Sequence, residues 1–248
     1  MGKQRWLVDI TTSGTSGRVL YAIPHAGAGA AAVKKTCRAL GDTFDTVAVR
    51  LAGRESRMDE SPVTDLDVLA DALAEQVSAH AGDRQVFLYG HCSGGVIAYE
   101  VARRLEPGRL GHLVVSAQEA PDRIRSRDVW RLPQKEFLAE VANDGYLPTG
   151  LLDQPEMVEL VEPALRGDYQ AVGSHHSSME VIPTPVLALL GTEEHTVAEA
   201  DVRAWEAVTS GGFRLQVIPG GHNLLLAEPE GVAEALRGIV ADEEPVTG

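Results

Sequence analysis

The stretch Val86-Phe87-Leu88-Tyr89-Gly90-His91-Cys92-Ser93-Gly94-Gly95 decides how this chain is read. An apolar run ends at a glycine, a reactive side chain follows, and small residues open a helix expected from Ser93 to Leu105. Strand, sharp turn and helix in that order form a nucleophile elbow of the GxSxG type, here with Cys92 at its centre. The central residue of such a turn takes a strained backbone, and the positions two before and two after it must be small because strand and helix nearly touch. Gly90 and Gly94 meet that demand around Cys92. Around Ser93 the same positions would hold His91 and Gly95, which puts an imidazole in the tight site. Cys92 is therefore the expected nucleophile. Burial beside a turn is the common fate of a free cysteine, but it leaves the paired glycines unexplained. Cys37, on the helix expected after the first strand, takes that inert role.

Working outward, short apolar runs alternate with segments of helical period. Val19 to Ile23, Thr46 to Leu51, Val86 to Tyr89, Leu113 to Val115, Val186 to Leu190 and Phe213 to Ile218 read as strands. Their mostly continuous apolar character is that of strands covered on both faces. Thr64 is placed to cap a helix whose Leu66, Leu69, Ala70, Leu73 and Val77 fall on one stripe. Further helices are expected over Ala198 to Val208 and from Pro229 towards Val240. The alternation predicts an α/β fold, a mostly parallel central sheet flanked by helices. It breaks over 122–185, where two helical segments, Gln134 to Ala142 and Glu156 to Leu165, stand without a strand. That region is read as a helical lid insertion, dividing the core into 1–121 and 186–248. Its loops would reach the carboxyl edge of the sheet, where open α/β folds place their sites. The tail 242–248 is expected to fray.

Composition narrows the function. The chain has 248 residues, 44% hydrophobic and 23% charged, enough for a sizeable core. Lys and Arg total 22 against 36 Asp and Glu, a net charge of −14, which argues against nucleic acid or an anionic membrane as the main partner. Two cysteines suit a reducing compartment, and no stretch has the length of a signal peptide or a membrane span. A cytoplasmic, monomeric protein is expected.

A thiol needs a base and an orienting acid to act as a sustained nucleophile. His222, in Pro219-Gly220-Gly221-His222 after the last strand, is the leading base. Glu193 and Glu194 follow the strand ending at Leu190 and offer the acid. One oxyanion donor should be the Ser93 N–H at the start of the elbow helix. The other should come from Pro24-His25-Ala26-Gly27, with Ala26 first and Gly27 next. This Gly-rich loop lacks both the GxxxxGK[ST] lysine and the GxGxxG spacing of a phosphate cradle. His175-His176 is read as loop surface without ligand partners, so no metal is expected.

With these positions in hand, the chain resembles the type II thioesterases of nonribosomal peptide and polyketide synthase pathways, which are α/β-hydrolases. Pro24-His25-Ala26-Gly27 is similar to the family's PHAG loop and Leu51-Ala52-Gly53-Arg54-Glu55 to its LPGRE segment. Val63-Thr64-Asp65-Leu66 resembles its next helix start, and Leu132-Pro133 through Phe137-Leu138 the start of its lid. Gly90-His91-Cys92-Ser93-Gly94 matches GHSxG except at the nucleophile, and Pro219-Gly220-Gly221-His222 matches PGGH. Gly191 to Val197 aligns with GxxDPxV, which puts Glu194 at the acid position and His195 where proline is usual. The order Cys92, Glu194, His222 is that of α/β-hydrolases.

The resemblance implies removal of acyl groups from the phosphopantetheine arm of an acyl or peptidyl carrier protein, with no bound cofactor because the arm arrives with the substrate. His25, Gly27, His91, Trp130 and Tyr146 are assigned to substrate contact. Phe137, Leu147 and Tyr169 could line an acyl chamber or pack the lid. A cysteinyl thioester stays activated, so an acyltransferase or cyclase that passes the acyl group to a thiol, amine or hydroxyl is the alternative outcome. A small-molecule lactone or ester hydrolase and a non-catalytic scaffold are further options. Arg123, Arg125, Arg127, Arg131 and Lys135 cluster at the entry to the lid, and Arg125 and Arg127 are assigned to docking an acidic carrier. A solvated charge face is the alternative for that cluster.

Overall fold

The computed structural model describes residues 6–14, 16–124, 128–143, 147 and 150–241. Seven strands form one sheet: β1 (Leu7–Thr11), β2 (Arg18–Ile23), β3 (Asp45–Val49), β4 (Gln85–His91), β5 (Leu110–Ser116), β6 (Val186–Gly191) and β7 (Phe213–Ile218). Their order is β1-β3-β2-β4-β5-β6-β7. All neighbours run parallel except β1, which lies antiparallel on β3 with Leu7 opposite Val49. The six strands read from the sequence are present. β1 is the addition: it is a half-exposed edge strand whose Asp9 is exposed, so it lacks the continuous apolar run of its neighbours.

Alternate strand residues feed two cores. Val19, Tyr21 and Ile23 of β2 face α2 (Leu66–Ala81) and α3 (Ser93–Ala102), while Leu20 and Ala22 face the opposite layer. That layer holds α1 (Ala30–Ala39), α7 (Leu224–Ala227) and α8 (Pro229–Ala241). The short α6 (Glu199–Arg203) continues as a 3-10 turn over Ala204–Val208 and packs Val202 and Trp205 on the first face. Each such buried Leu, Val or Phe stabilises the fold by about 1.5–3 kcal/mol relative to exposure. The stripe of α2 is buried as expected, but its cap is Asp65 rather than Thr64. The Asp65 carboxylate accepts from the N–H groups of Asp67 and Val68, at 2.9 and 3.1 Å, and satisfies two orphan donors of the first turn.

Between β5 and β6 the chain builds α4 (Gln134–Asn143) and α5 (Pro155–Ser174). α5 runs twenty residues and does not stop at Leu165. Gly167-Asp168 reads locally as a helix end, yet Gly167 lies so close to Pro62 that a Cβ would fall 2.5 Å from its ring, and Asp168 is held by an arginine from another segment. Tertiary contacts carry the helix through a weak local signal. Phe137, Leu138, Val141, Val158 and Leu165 form a small separate core that includes Ala26 of the β2–α1 loop. The insertion is thus packed directly over the loop read as an oxyanion loop. Among the described residues no helix is long and apolar enough to cross a membrane.

Candidate active site

The elbow is formed as the glycine spacing demands. Cys92 sits between β4 and α3 at φ 51° and ψ −131°, a left-handed conformation that a side chain adopts only at a cost. A Cβ on Gly90 would lie 2.1 Å from the Gly94 carbonyl oxygen, and one on Gly94 would lie 2.4 Å from that of Ile23. Either clash would open the turn. The Cys92 N–H donates to Ser116 O on β5 at 2.9 Å, which ties the elbow to the next strand. His91 points away and is fully buried, with Nδ1 2.5 Å from the Ser116 hydroxyl.

His222 arrives from the β7–α7 loop and Glu194 from the β6–α6 loop, and the two loops are laced together by Thr192 N–H to Ile218 O and Glu193 N–H to Gly220 O. His222 Nδ1 lies 2.8 Å from Glu194 Oε2, while Glu194 Oε1 accepts from the N–H groups of Thr196 and Val197. Glu193 is exposed, so the acid beside the imidazole is Glu194. Burial alone would raise the Glu194 carboxyl, but hydrogen bonds from His222 and the two backbone N–H groups, with the His222 charge, hold it below the usual carboxylate range. Burial likewise opposes the His222 imidazolium. The hydrogen bonds to Cys92 and Glu194 and the charges of both outweigh it and raise its pKa from 6.5 to about 10.

Three imidazoles stand in a row here. His25 and His91 have ring centroids 6.2 Å apart, and His91 and His222 are separated by the same distance. Burial first, then the charges of His222 and Arg54, push His25 down to about 3, and burial drives His91 far down as well. Only His222, the one with a carboxylate beside it, is set up to carry a proton. Cys37 lies buried on α1, where burial pushes its thiol up to about 12 against a smaller opposing hydrogen bond to Thr46.

Cys92, Ser93 and His222 open into a cavity of about 150 Å³ whose wall includes Tyr169, Val172 and Val197. Gln118 and Glu119, which follow β5, also line the cavity and carried no signal in the sequence because nothing local marks them as lining it. Several expectations are corrected. His25 and His91 are buried behind the elbow and do not line this cavity. The Gly27 N–H donates to Asp168 Oδ2 at 2.8 Å, so it is not available to substrate or to an oxyanion. Trp130 lies outside the cavity wall with the Arg131 guanidinium 4.6 Å from its ring centroid. Phe137 packs the core of the insertion, 5.5 Å from the Tyr169 ring, whereas Tyr169 lines the cavity. Tyr146, Arg125 and Arg127 lie outside the described residues, and of their neighbours Arg123 and Arg131 form exposed ion pairs with Asp122 and Asp128.

His175 is not loop surface. Its Nε2 lies 3.1 Å from a carboxylate oxygen of the fully buried Glu100, with Asp67 also nearby. Arg103 and Arg104 hold the other oxygen of Glu100 at 2.5 and 2.9 Å, so guanidinium groups already balance that carboxylate. The network fastens the end of the insertion to α3.

The thioesterase domain family matches residues 18–240. The gramicidin S biosynthesis protein GrsT of Aneurinibacillus migulanus is 28% identical over 226 residues, 89% of this chain and 88% of that protein. Phenyloxazoline synthase MbtB of Mycobacterium tuberculosis is 30% identical over 241 residues, 95% of this chain but 17% of the synthase. The solved structure of the type II thioesterase BorB from the borrelidin biosynthetic cluster superposes with a TM-score of 0.80 at 32% identity, covering 96% of each chain. A mostly parallel sheet between two helical layers, an elbow cysteine followed in sequence by a glutamate and a histidine, and these matches together place the protein in the thioesterase domain family, as an enzyme of the α/β-hydrolase superfamily.

Proposed function

We propose that the protein is a type II thioesterase that releases acyl groups from the phosphopantetheine arm of a carrier protein in natural-product biosynthesis, through an acyl-enzyme on Cys92. The observation that carries this reading is the shared cavity of Cys92 and His222, with Glu194 2.8 Å behind the imidazole. The Cys92 sulfur, paired with the His222 imidazolium, attacks the thioester carbonyl. The pantetheine thiol leaves with the proton held on His222 Nε2. Neutral His222 then takes a proton from water as the water attacks the acyl-enzyme, and returns it to the Cys92 sulfur as the free acid departs. Glu194 fixes the ring through Nδ1 and stabilises its charge. The N–H groups of Ser93 and Ala26 take the negative charge that develops on the carbonyl oxygen, each worth about 10²–10³ in rate.

The relatives support the class of reaction: BorB is a type II thioesterase, and GrsT serves gramicidin S biosynthesis. The insertion over 122–185 acts as a lid, and its basic entry carrying Arg125 and Arg127 docks the acidic carrier against the chain's own −14. Charge reversal at both should raise KM for carrier-bound substrate and leave a small thioester unaffected. Equal effects on the two would remove the docking role.

Sulfur at the elbow favours a second outcome. Transfer from a pantetheine thioester to Cys92 exchanges one thioester for another at little change in free energy, and the adduct can pass its acyl group to another thiol, an amine or a hydroxyl. Intact-mass analysis after mixing acyl carrier protein with enzyme tests the reading: an acyl adduct on Cys92 is expected. Adding an unloaded carrier separates the outcomes, since free acid as the sole product excludes transfer. No adduct and no turnover would refute both.

A further inference from the structure

The loop between β2 and α1, which carries Ala26, is gripped from outside by Arg54 and Glu55, neighbours in sequence. At its centre the Ala28 N–H donates to His25 O at 3.1 Å across a turn in which Gly27 stands at φ 74°. Arg54 and its partner Asp168 hold Ala28 O and the Gly27 N–H. The start of α1 has no such help from its own residues, because the cap residue is Gly29 and the first turn holds no acidic group. The orphan N–H groups of a helix start need acceptors. Glu55 brings one from another segment, with Oε1 accepting from the Ala31 N–H at 3.2 Å.

Backbone and neighbours are both arranged around this contact. Glu55 stands at φ 49°, an uncommon conformation for a residue with a side chain. Its carboxylate lies against Gly29, where a Cβ would fall 2.4 Å from Oε1. Arg50, just after β3, donates from Nε to Glu55 Oε2 at 2.6 Å and from Nη1 to the Ser56 hydroxyl. With side chains 14% and 30% exposed, the pair of Arg50 and Glu55 adds little to stability. Backbone strain that the surrounding structure maintains collects instead at functional sites. Resting on the thioesterase reading above, we propose that Glu55 is a positioning residue for acyl transfer: by fixing where α1 begins, it holds the Ala26 N–H at the place where negative charge develops on the substrate carbonyl.

Glu55→Gly removes the carboxylate and adopts φ 49° without strain. Gly29→Ala keeps Glu55 but drives its carboxylate off the helix start. Each is compared with the wild type on propionyl-pantetheine. In both variants kcat should fall about 10- to 100-fold with KM unchanged, the pattern of an interaction made only in the transition state. Alkylation of Cys92 by iodoacetamide forms no oxyanion, so its rate should stay at the wild-type value. A merely structural weakening would slow both reactions or neither. Wild-type kcat in the variants, a rise in KM in place of a fall in kcat, or alkylation that slows together with kcat overturns the positioning role and leaves the thioesterase intact. No turnover of propionyl-pantetheine by the wild type overturns the thioesterase reading and this inference with it. Should one variant fail to fold, the other decides alone.

Discussion

Arg54 grips Asp168 with two parallel hydrogen bonds, Nη1 to Oδ2 at 2.6 Å and Nη2 to Oδ1 at 2.8 Å, and the side chains are only 6% and 4% exposed. The pair joins three segments. Arg54 also donates to Ala28 O and Ala52 O, and Asp168 on α5 accepts from Gly27 N–H. The insertion is thereby fastened to the loop that carries Ala26.

Asp168→Ala leaves a guanidinium buried without its carboxylate, a change that typically costs about 3–5 kcal/mol. It also releases the Gly27 N–H, so the loop next to Ala26 loosens, and kcat should fall by as much as about 10²-fold, the scale of one lost oxyanion donor. Chemical denaturation and steady-state kinetics measure the two effects. The double variant Arg54→Met/Asp168→Leu should recover part of the stability without recovering kcat. Equal recovery of both would show that the clasp does not position the loop.

Glu194→Gln should lower kcat by about 10⁴-fold, since an amide can hold the wrong imidazole tautomer and cannot stabilise its charge. Glu194→Asp keeps the charge on a side chain one methylene shorter, and an intermediate loss is expected. Wild-type kcat in Glu194→Gln would remove Glu194 from the mechanism.

The proton on His222 links folding to pH. Its pKa is raised from 6.5 to about 10, so its contribution to stability is complete below about 6.5 and declines as pH rises, until it is gone above about 10. Melting curves across that window should show stability falling with pH by less in His222→Gln than in the wild type. In Cys92→Ala the sulfur is absent, and the imidazole should titrate at lower pH by NMR. An unchanged titration would mean that the thiol does not hold the proton there.

Iodoacetamide should label Cys92 and spare Cys37, whose thiol is buried and pushed up to about 12. Peptide mapping reads the site. Cys92→Ser should keep the elbow and convert the adduct into an oxygen ester, a poorer donor to thiols, so that transfer falls relative to hydrolysis. Faster transfer to an added thiol from the serine variant would contradict the role given to sulfur.

Much of this was legible along the chain because it is local. A glycine on each side of Cys92 is a demand of the elbow backbone itself, and continuous apolar runs mark buried strands wherever they pair. His222 could be named because it closely follows a strand, and parallel strands deliver their ends to one edge of the sheet; the same reading offered Glu193 and Glu194 alike, and the resemblance to GxxDPxV put Glu194 forward. What stayed hidden depends on which surfaces meet. β1 carries the weak pattern of an edge. α5 crosses Gly167-Asp168 only because Pro62 and Arg54 wait on another segment. His25 and His91 read as substrate contacts until packing turned them inward. The sequence by itself therefore determined the strand, turn and helix around Cys92 and the sheet beneath them, through spacing and periodicity that act over a few residues. Only the tertiary structure decided which carboxylate faces the imidazole, how the insertion is clasped and which side chains wall the cavity, because those depend on contacts between residues far apart in the chain that no local pattern encodes.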